Sequence, residues 1–177
     1  MPLLQSLAIG CDTNDLSPVE VCAEIASIFS VRPTEVGLLQ LRDRALTFLF
    51  PVELRAVGSI PLSSSAIAAR TAQNRTAEIF NRFAEVKHHT LFERIKLGGN
   101  EDNQTIQKLM SSPVVDSNQR VLGVLQISRK GISLSGCGPD FTNADLRTLE
   151  SVAAEISPLL PKMLLKGSAK RELKFVR

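Results

Sequence analysis

The chain has neither tryptophan nor tyrosine, and only two histidines and three cysteines in 177 residues. Without Trp and Tyr, the strongest stacking platforms for bases and sugars are missing. The two imidazoles, His88 and His89, are too few to suggest a metal centre. Cys11, Cys22 and Cys137 form no CxxC pair and are odd in number, so neither a disulfide framework nor a zinc site follows. No apolar run approaches the roughly 20 residues that span a bilayer. The opening Met1-Pro2-Leu3-Leu4-Gln5 lacks the basic region of a secretory signal, and a cytoplasmic protein is expected. Catalytic signatures are missing too: there is no GxSxG, Walker-type loop or HExxH. Ser63, Ser64 and Ser65 have no histidine near them in sequence to act as a base, and helix capping accounts for them.

What is present is the balance of a soluble globular domain, 44% hydrophobic and 22% charged, long enough for one sizeable core. The net charge of +3 is uneven: residues 162–177 carry +5 and the rest −2. Such a tail can touch nucleic acid or an acidic membrane, but a solvated terminus is the simpler reading. The chain is therefore divided into an N-terminal extension (1–16), one domain (17–160) and a basic tail (161–177).

Ser17-Pro18-Val19-Glu20 reads as a helix start, with Val21, Cys22, Ile25, Ile28 and Phe29 on one apolar face and Pro33 as the stop. Residues 35–42 and 46–52 read as strands joined by a turn at Asp43-Arg44, and 54–60 as a third strand interrupted by Gly58. The serines at 63–65 open a helix over 66–72, and 76–80 is a short extended piece. Residues 83–97 read as helix, stopped by Gly98-Gly99-Asn100. Two strands follow, 104–115 and 121–129, around a polar turn at 116–119, then a Gly/Ser-rich loop at 131–139. The last helix has the clearest start: Thr142 as N-cap, Asp145 three residues on, and Phe141 with Leu146 as a hydrophobic staple. Pro158 and Pro161 end or kink it. Short sequential strands pair antiparallel, and the helices are segregated, which makes the fold α+β.

The segments Pro113-Val114-Val115, Val121 to Lys130, Phe141 to Leu146 and Leu149-Glu150-Ser151-Val152-Ala153 resemble the C-terminal half of a GAF domain. Gly58-Ser59-Ile60-Pro61-Leu62 and the following residues to Arg75 resemble the place where such domains turn from a central strand into a pocket-side helix. The resemblance covers roughly residues 17–160. It implies a GAF/PAS-like central antiparallel sheet of five to six strands. The N- and C-terminal helices lie on one side and a pocket-side helical insertion on the other. It also implies a sensory or regulatory role in intracellular signalling, without catalysis. The expected partners are a small-molecule ligand, a signalling protein and a second copy docked through residues 17–30 and 142–160; neither a membrane nor nucleic acid is expected. The ligand or cofactor is left open.

Sharper versions of the resemblance turn on single residues. In the cyclic-nucleotide pattern of the family, Phe141 and Asp145 match and Arg129 or Lys130 supplies the cation. Ser128, however, stands in place of the asparagine and Leu146 in place of the second acid. Asp145 is better read as capping its own helix, with Lys130 as a brace. Tetrapyrrole attachment needs a pocket cysteine, and none lies between residues 59 and 113. Haem ligation by His88 or His89 is weakened because adjacent helical residues point about 100° apart. The stand-alone methionine sulfoxide reductases of the family use cysteines in and beside the pocket, places that these three cysteines do not match. Cys137 is the one placed to react, which keeps a redox enzyme as an alternative, beside a closed-pocket interaction module. A ligand is expected under residues 63–97, held by Arg70, Asn74, Arg75 and Asn81 with Phe80, Phe83 and Phe92 as an apolar lining. Such a set suits a carboxylate or phosphate on a small organic body.

Overall fold

A computed structural model describes residues 3–4, 17–86 and 104–163. Six strands form one antiparallel sheet: β1 (Val36–Arg42), β2 (Ala45–Phe50), β3 (Ser59–Pro61), β4 (Glu78–Phe80), β5 (Thr105–Val115) and β6 (Val121–Gly131), in the order β3-β2-β1-β6-β5-β4. The helices are α1 (Pro18–Ile28), α2 (Ile67–Asn74) and α3 (Asn143–Ile156). This is the expected α+β sheet with terminal helices on one face and the inserted helix on the other.

Strand alternation divides the side chains between the two faces. Val36 and Leu38 of β1, Met110 and Val114 of β5, and Leu125 and Ile127 of β6 pack with α1 and α3 into one large core. Leu39, Leu46, Phe48 and Val124 point the other way, against the alanines of α2. A third, smaller cluster joins Ile67, Phe83 and Leu109.

The helix starts follow their caps. Ser17 Oγ accepts from Val19 N at 3.2 Å. Thr142 and Asp145 form the full reciprocal box, with Asp145 N donating to Thr142 Oγ1 at 3.2 Å and Thr142 N to Asp145 Oδ2 at 2.7 Å. Asp145 thus caps its own helix, while Lys130 turns its ammonium to the Thr34 carbonyl, 3.0 Å away.

Several boundaries differ from expectation. Helix α1 ends at Ile28, before Pro33, because Ser30 takes a left-handed φ of 51°. The strand expected over 54–60 is a 3-10 turn, Val52–Ala56, followed by the short β3. Helix α2 has Ala66 at its N-cap and no side-chain cap, although Ser64 Oγ accepts from Ala66 N at 3.4 Å. Of the helix expected over 83–97, the described part is a 3-10 turn, Phe83–Glu85; the remainder lies outside the described residues. At the C-terminal end, Leu159, Leu160 and Met163 are buried in the α1/α3 core, so packing continues past residue 160. Leu4, in the N-terminal extension, is fully buried in the same core, and the Glu155 carboxylate accepts from Leu3 N at 2.7 Å and Leu4 N at 3.0 Å. No helix among the described residues is long and apolar enough to cross a membrane.

Candidate ligand-binding site

Between the sheet and α2 lies a cavity of about 100 Å³. Its apolar wall is Phe48, Leu54, Ile60, Ile67, Ile106 and Leu109, with Ala66 and Ala68 as its helical side. The small residues of α2 keep the helix close to the sheet without filling the space above Gly37. The polar wall comes from one face of β6, where Gln126, Ser128 and Lys130 alternate with the core residues Leu125 and Ile127, and from Thr34, Glu35 and Gln104.

Most of this polar wall is held by internal bonds. Glu35 is 7% exposed, and its carboxylate accepts from Lys130 N (2.7 Å), Arg32 N (2.8 Å) and Arg32 Nη2 (3.0 Å). Burial alone pushes its pKa up, but these bonds and the Arg32 charge outweigh it and hold the group below the usual carboxylate range. Ser128 Oγ donates to the Glu35 carbonyl at 3.2 Å. Gln126 Nε2 donates to Ser111 Oγ at 3.1 Å, and that hydroxyl lies 2.7 Å from Thr71 Oγ1 of α2, a buried polar tie between helix and sheet. Two atoms are left over: Thr34 Oγ1 and Gln104 Oε1 are buried and have no hydrogen-bond partner among the described residues. Buried polar groups are paired in the great majority of cases, and an orphan costs about 1–3 kcal/mol. Both residues line the cavity.

None of the six expected ligand residues within the described part of the chain lines this cavity. Arg70 faces away and forms a bidentate pair with Glu78 (Nε–Oε2 3.1 Å, Nη2–Oε1 2.9 Å), its guanidinium 5.0 Å above the Phe80 ring. Asn74 is the exposed last residue of α2, and Arg75 is its left-handed C-cap, φ 55°. Asn81 forms a two-bond clamp on Phe141: Phe141 N donates to Oδ1 at 2.8 Å, and Nδ2 donates to the Phe141 carbonyl at 2.9 Å. Phe83 sits one layer behind the cavity, packed on Ile67 and Leu109. Phe92, like His88, His89 and Cys11, lies outside the described residues.

A more open groove of about 720 Å³ adjoins the cavity and shares Glu35, Gln104 and Lys130 with it. Arg129, Gly131, Ser133 and Cys137 line its other side. Cys137 is half-buried, its thiol donating to the Leu134 carbonyl at 3.1 Å. Cys22 is buried in the α1/α3 core, where burial pushes its pKa up to about 12.

The sheet order and the inserted helix define an α+β domain with a cavity between a six-stranded antiparallel sheet and that helix. The chain matches the GAF domain family over residues 20–159 and belongs to it. Among curated proteins, no sequence matches. Solved structures share the fold at low identity. The GAF domain of an Acinetobacter phosphoenolpyruvate-protein phosphotransferase is 14% identical, covering 94% of this chain and 92% of its own, with a TM-score of 0.65. The free methionine-R-sulfoxide reductase of Neisseria meningitidis, in complex with its substrate, is 14% identical over 93% and 87%, TM-score 0.61. The type II enzyme of Thermoplasma acidophilum is 15% identical over 86% and 97%, TM-score 0.59. The GAF domain of a phosphotransferase and two sulfoxide reductases thus stand at similar structural distance.

Proposed function

We propose that this GAF domain is a non-catalytic sensory or regulatory module that binds a small molecule in the cavity between the sheet and α2. The observation that supports this most is the pair of orphaned atoms, Thr34 Oγ1 and Gln104 Oε1, on a wall whose Glu35, Gln126, Ser128 and Lys130 side chains bond within the fold. A ligand with an apolar body and a hydrogen-bond donor for Gln104 would recover part of their cost. The cavity size suits roughly half a dozen heavy atoms. Signal output would pass to a second copy or a signalling partner through α1 and α3, whose outer faces present Val19, Ala23, Arg147 and Glu150 to solvent.

Native mass spectrometry of gently purified protein is the test. A dimer with an extra mass that leaves on denaturation is expected, and Ala68→Leu, which fills the cavity, should lose that mass while staying folded. Bare protein that also takes up no compound from a fragment screen would overturn the ligand reading and leave a closed-pocket interaction module. A bare monomer would remove the dimer as well.

A redox enzyme of the methionine sulfoxide reductase type is the second reading, favoured by Cys137 lining a groove continuous with the cavity. Against it, a sulfoxide reductase needs a second thiol to resolve the first, and the other cysteine among the described residues, Cys22, is sealed in the core on the opposite face. Reduction of free methionine sulfoxide that disappears in Cys137→Ser would establish the enzyme.

A further inference from the structure

The groove beside the cavity carries a cation that no carboxylate among the described residues compensates. Lys108 and Arg129 are partners across β5 and β6, and both sit under the 138–141 segment. Like charges opposite each other on neighbouring strands are unfavourable. Lys108, 5% exposed in its side chain, pairs with the Asp140 carboxylate at 2.7 Å and donates to the Gly138 carbonyl at 2.7 Å. Among the described residues Arg129 has no carboxylate partner. Its guanidinium is stacked 4.8 Å from the centre of the Phe141 ring, and its Nε is buried without an acceptor.

The surroundings hold this side chain in place. Phe141 is itself fixed by the Asn81 clamp. Gly138, at φ 100°, leaves the space the guanidinium occupies: a Cβ there would lie 3.2 Å from Arg129 Nη1. On the far side of the groove the Glu35 carboxylate is already engaged by Arg32 and by the Lys130 backbone, so it does not neutralise Arg129. A partly buried, pre-positioned arginine without a counter-charge is costly unless an anion meets it, and its planar fork suits a bidentate oxyanion.

We infer that the groove is an oxyanion site, in which Arg129 takes a carboxylate or phosphate group between the 131–137 loop and the end of β6. The inference stands whether or not the cavity holds a ligand. The 1H–15N signals of arginine side chains, followed during titration with inorganic phosphate and separately with acetate, provide the test. A saturable shift of the Arg129 Nε–H is expected, and the anion that saturates at the lower concentration identifies the source. Arg129→Met should weaken binding roughly tenfold or more. Ser133→Asp, on the exposed loop, places a competing carboxylate in the groove without touching the core and should do the same. Equal, non-saturating shifts at all arginines with both anions, or unchanged binding in the folded Ser133→Asp protein, would overturn the site.

Discussion

The two faces of the sheet are packed on different terms. On the α1/α3 face, side chains from four strands and two helices, with Leu4 and Met163 from beyond the expected domain limits, close one continuous core. On the α2 face the apolar residues split into two smaller clusters, the helix offers alanines, and a cavity with two orphaned polar atoms remains. Native cores approach crystal density, so unfilled space beside unsatisfied groups is a cost the fold retains on one face only. The contrast separates a face that holds the domain together from a face that leaves room to bind.

Two glycines on adjacent strands sharpen the contrast most. Gly123 of β6 faces the helix side: a Cβ there would collide with the Leu39 carbonyl oxygen and come within 3.0 Å of Leu160 Cδ2. Gly37 of β1 faces the cavity, where a Cβ would meet Phe48 Cε1 at 3.6 Å and Gln126 Cβ at 3.7 Å, ordinary contacts. Gly123→Ala should therefore cost at least about 3 kcal/mol, since backbone must move. Gly37→Ala should cost less than about 1 kcal/mol, because the lost entropy of the unfolded chain offsets the new contacts. Urea unfolding of both variants checks this; equal losses would mean that the two faces are equally tight.

How much of this was legible in the sequence divides along the same line. The helix-side face announced itself through caps and periodicity: Ser17-Pro18 and Thr142-to-Asp145 start α1 and α3 as expected, and the strand pattern gave β1, β2, β5 and β6. A cavity does lie between the sheet and the inserted segment, but the expected ligand residues within the described part of the chain do not line it. Arginines and phenylalanines drew attention by type, yet Arg70 is spent on Glu78 and Asn81 on Phe141, partners set by tertiary approach rather than spacing. The usable signal was quieter. Gln126, Ser128 and Lys130 recur every second residue on an otherwise apolar strand, which marks a polar strip on one face. Thr34 and Gln104 join it only through folding, 70 residues apart in the chain.

A middle-sized effect belongs to Glu35, where the two faces meet the sheet's end. Its folded pKa lies below the ordinary value of 4.5, so its stabilisation is present above that value and is lost as pH falls through the lowered one. Glu35→Gln should cost about 2 kcal/mol at neutral pH, because the Lys130 and Arg32 donors lose a charged acceptor. The variant should also unfold with a shallower dependence on acid below about pH 4.5. A pH series of thermal melts measures both; an unchanged acid limb would show that the carboxylate network does not stabilise the fold.

The smallest effect on stability, and the most direct report on which face is open, comes from the thiols. Cys22 lies fully buried in the α1/α3 core with its pKa pushed up to about 12, so little thiolate exists at neutral pH and none is accessible. Cys137 is half-buried on the groove side, its thiol donating to the Leu134 carbonyl. In a Cys11→Ser background, a chromogenic disulfide reagent should label Cys137 in the native state, and Cys22 only on global unfolding. Cys137→Ser should shift stability by less than about 0.5 kcal/mol, as a partly exposed loop position does. Early labelling of Cys22 would mean that the helix-covered face opens as readily as the cavity face, and the asymmetry between them would then be one of shape rather than of stability.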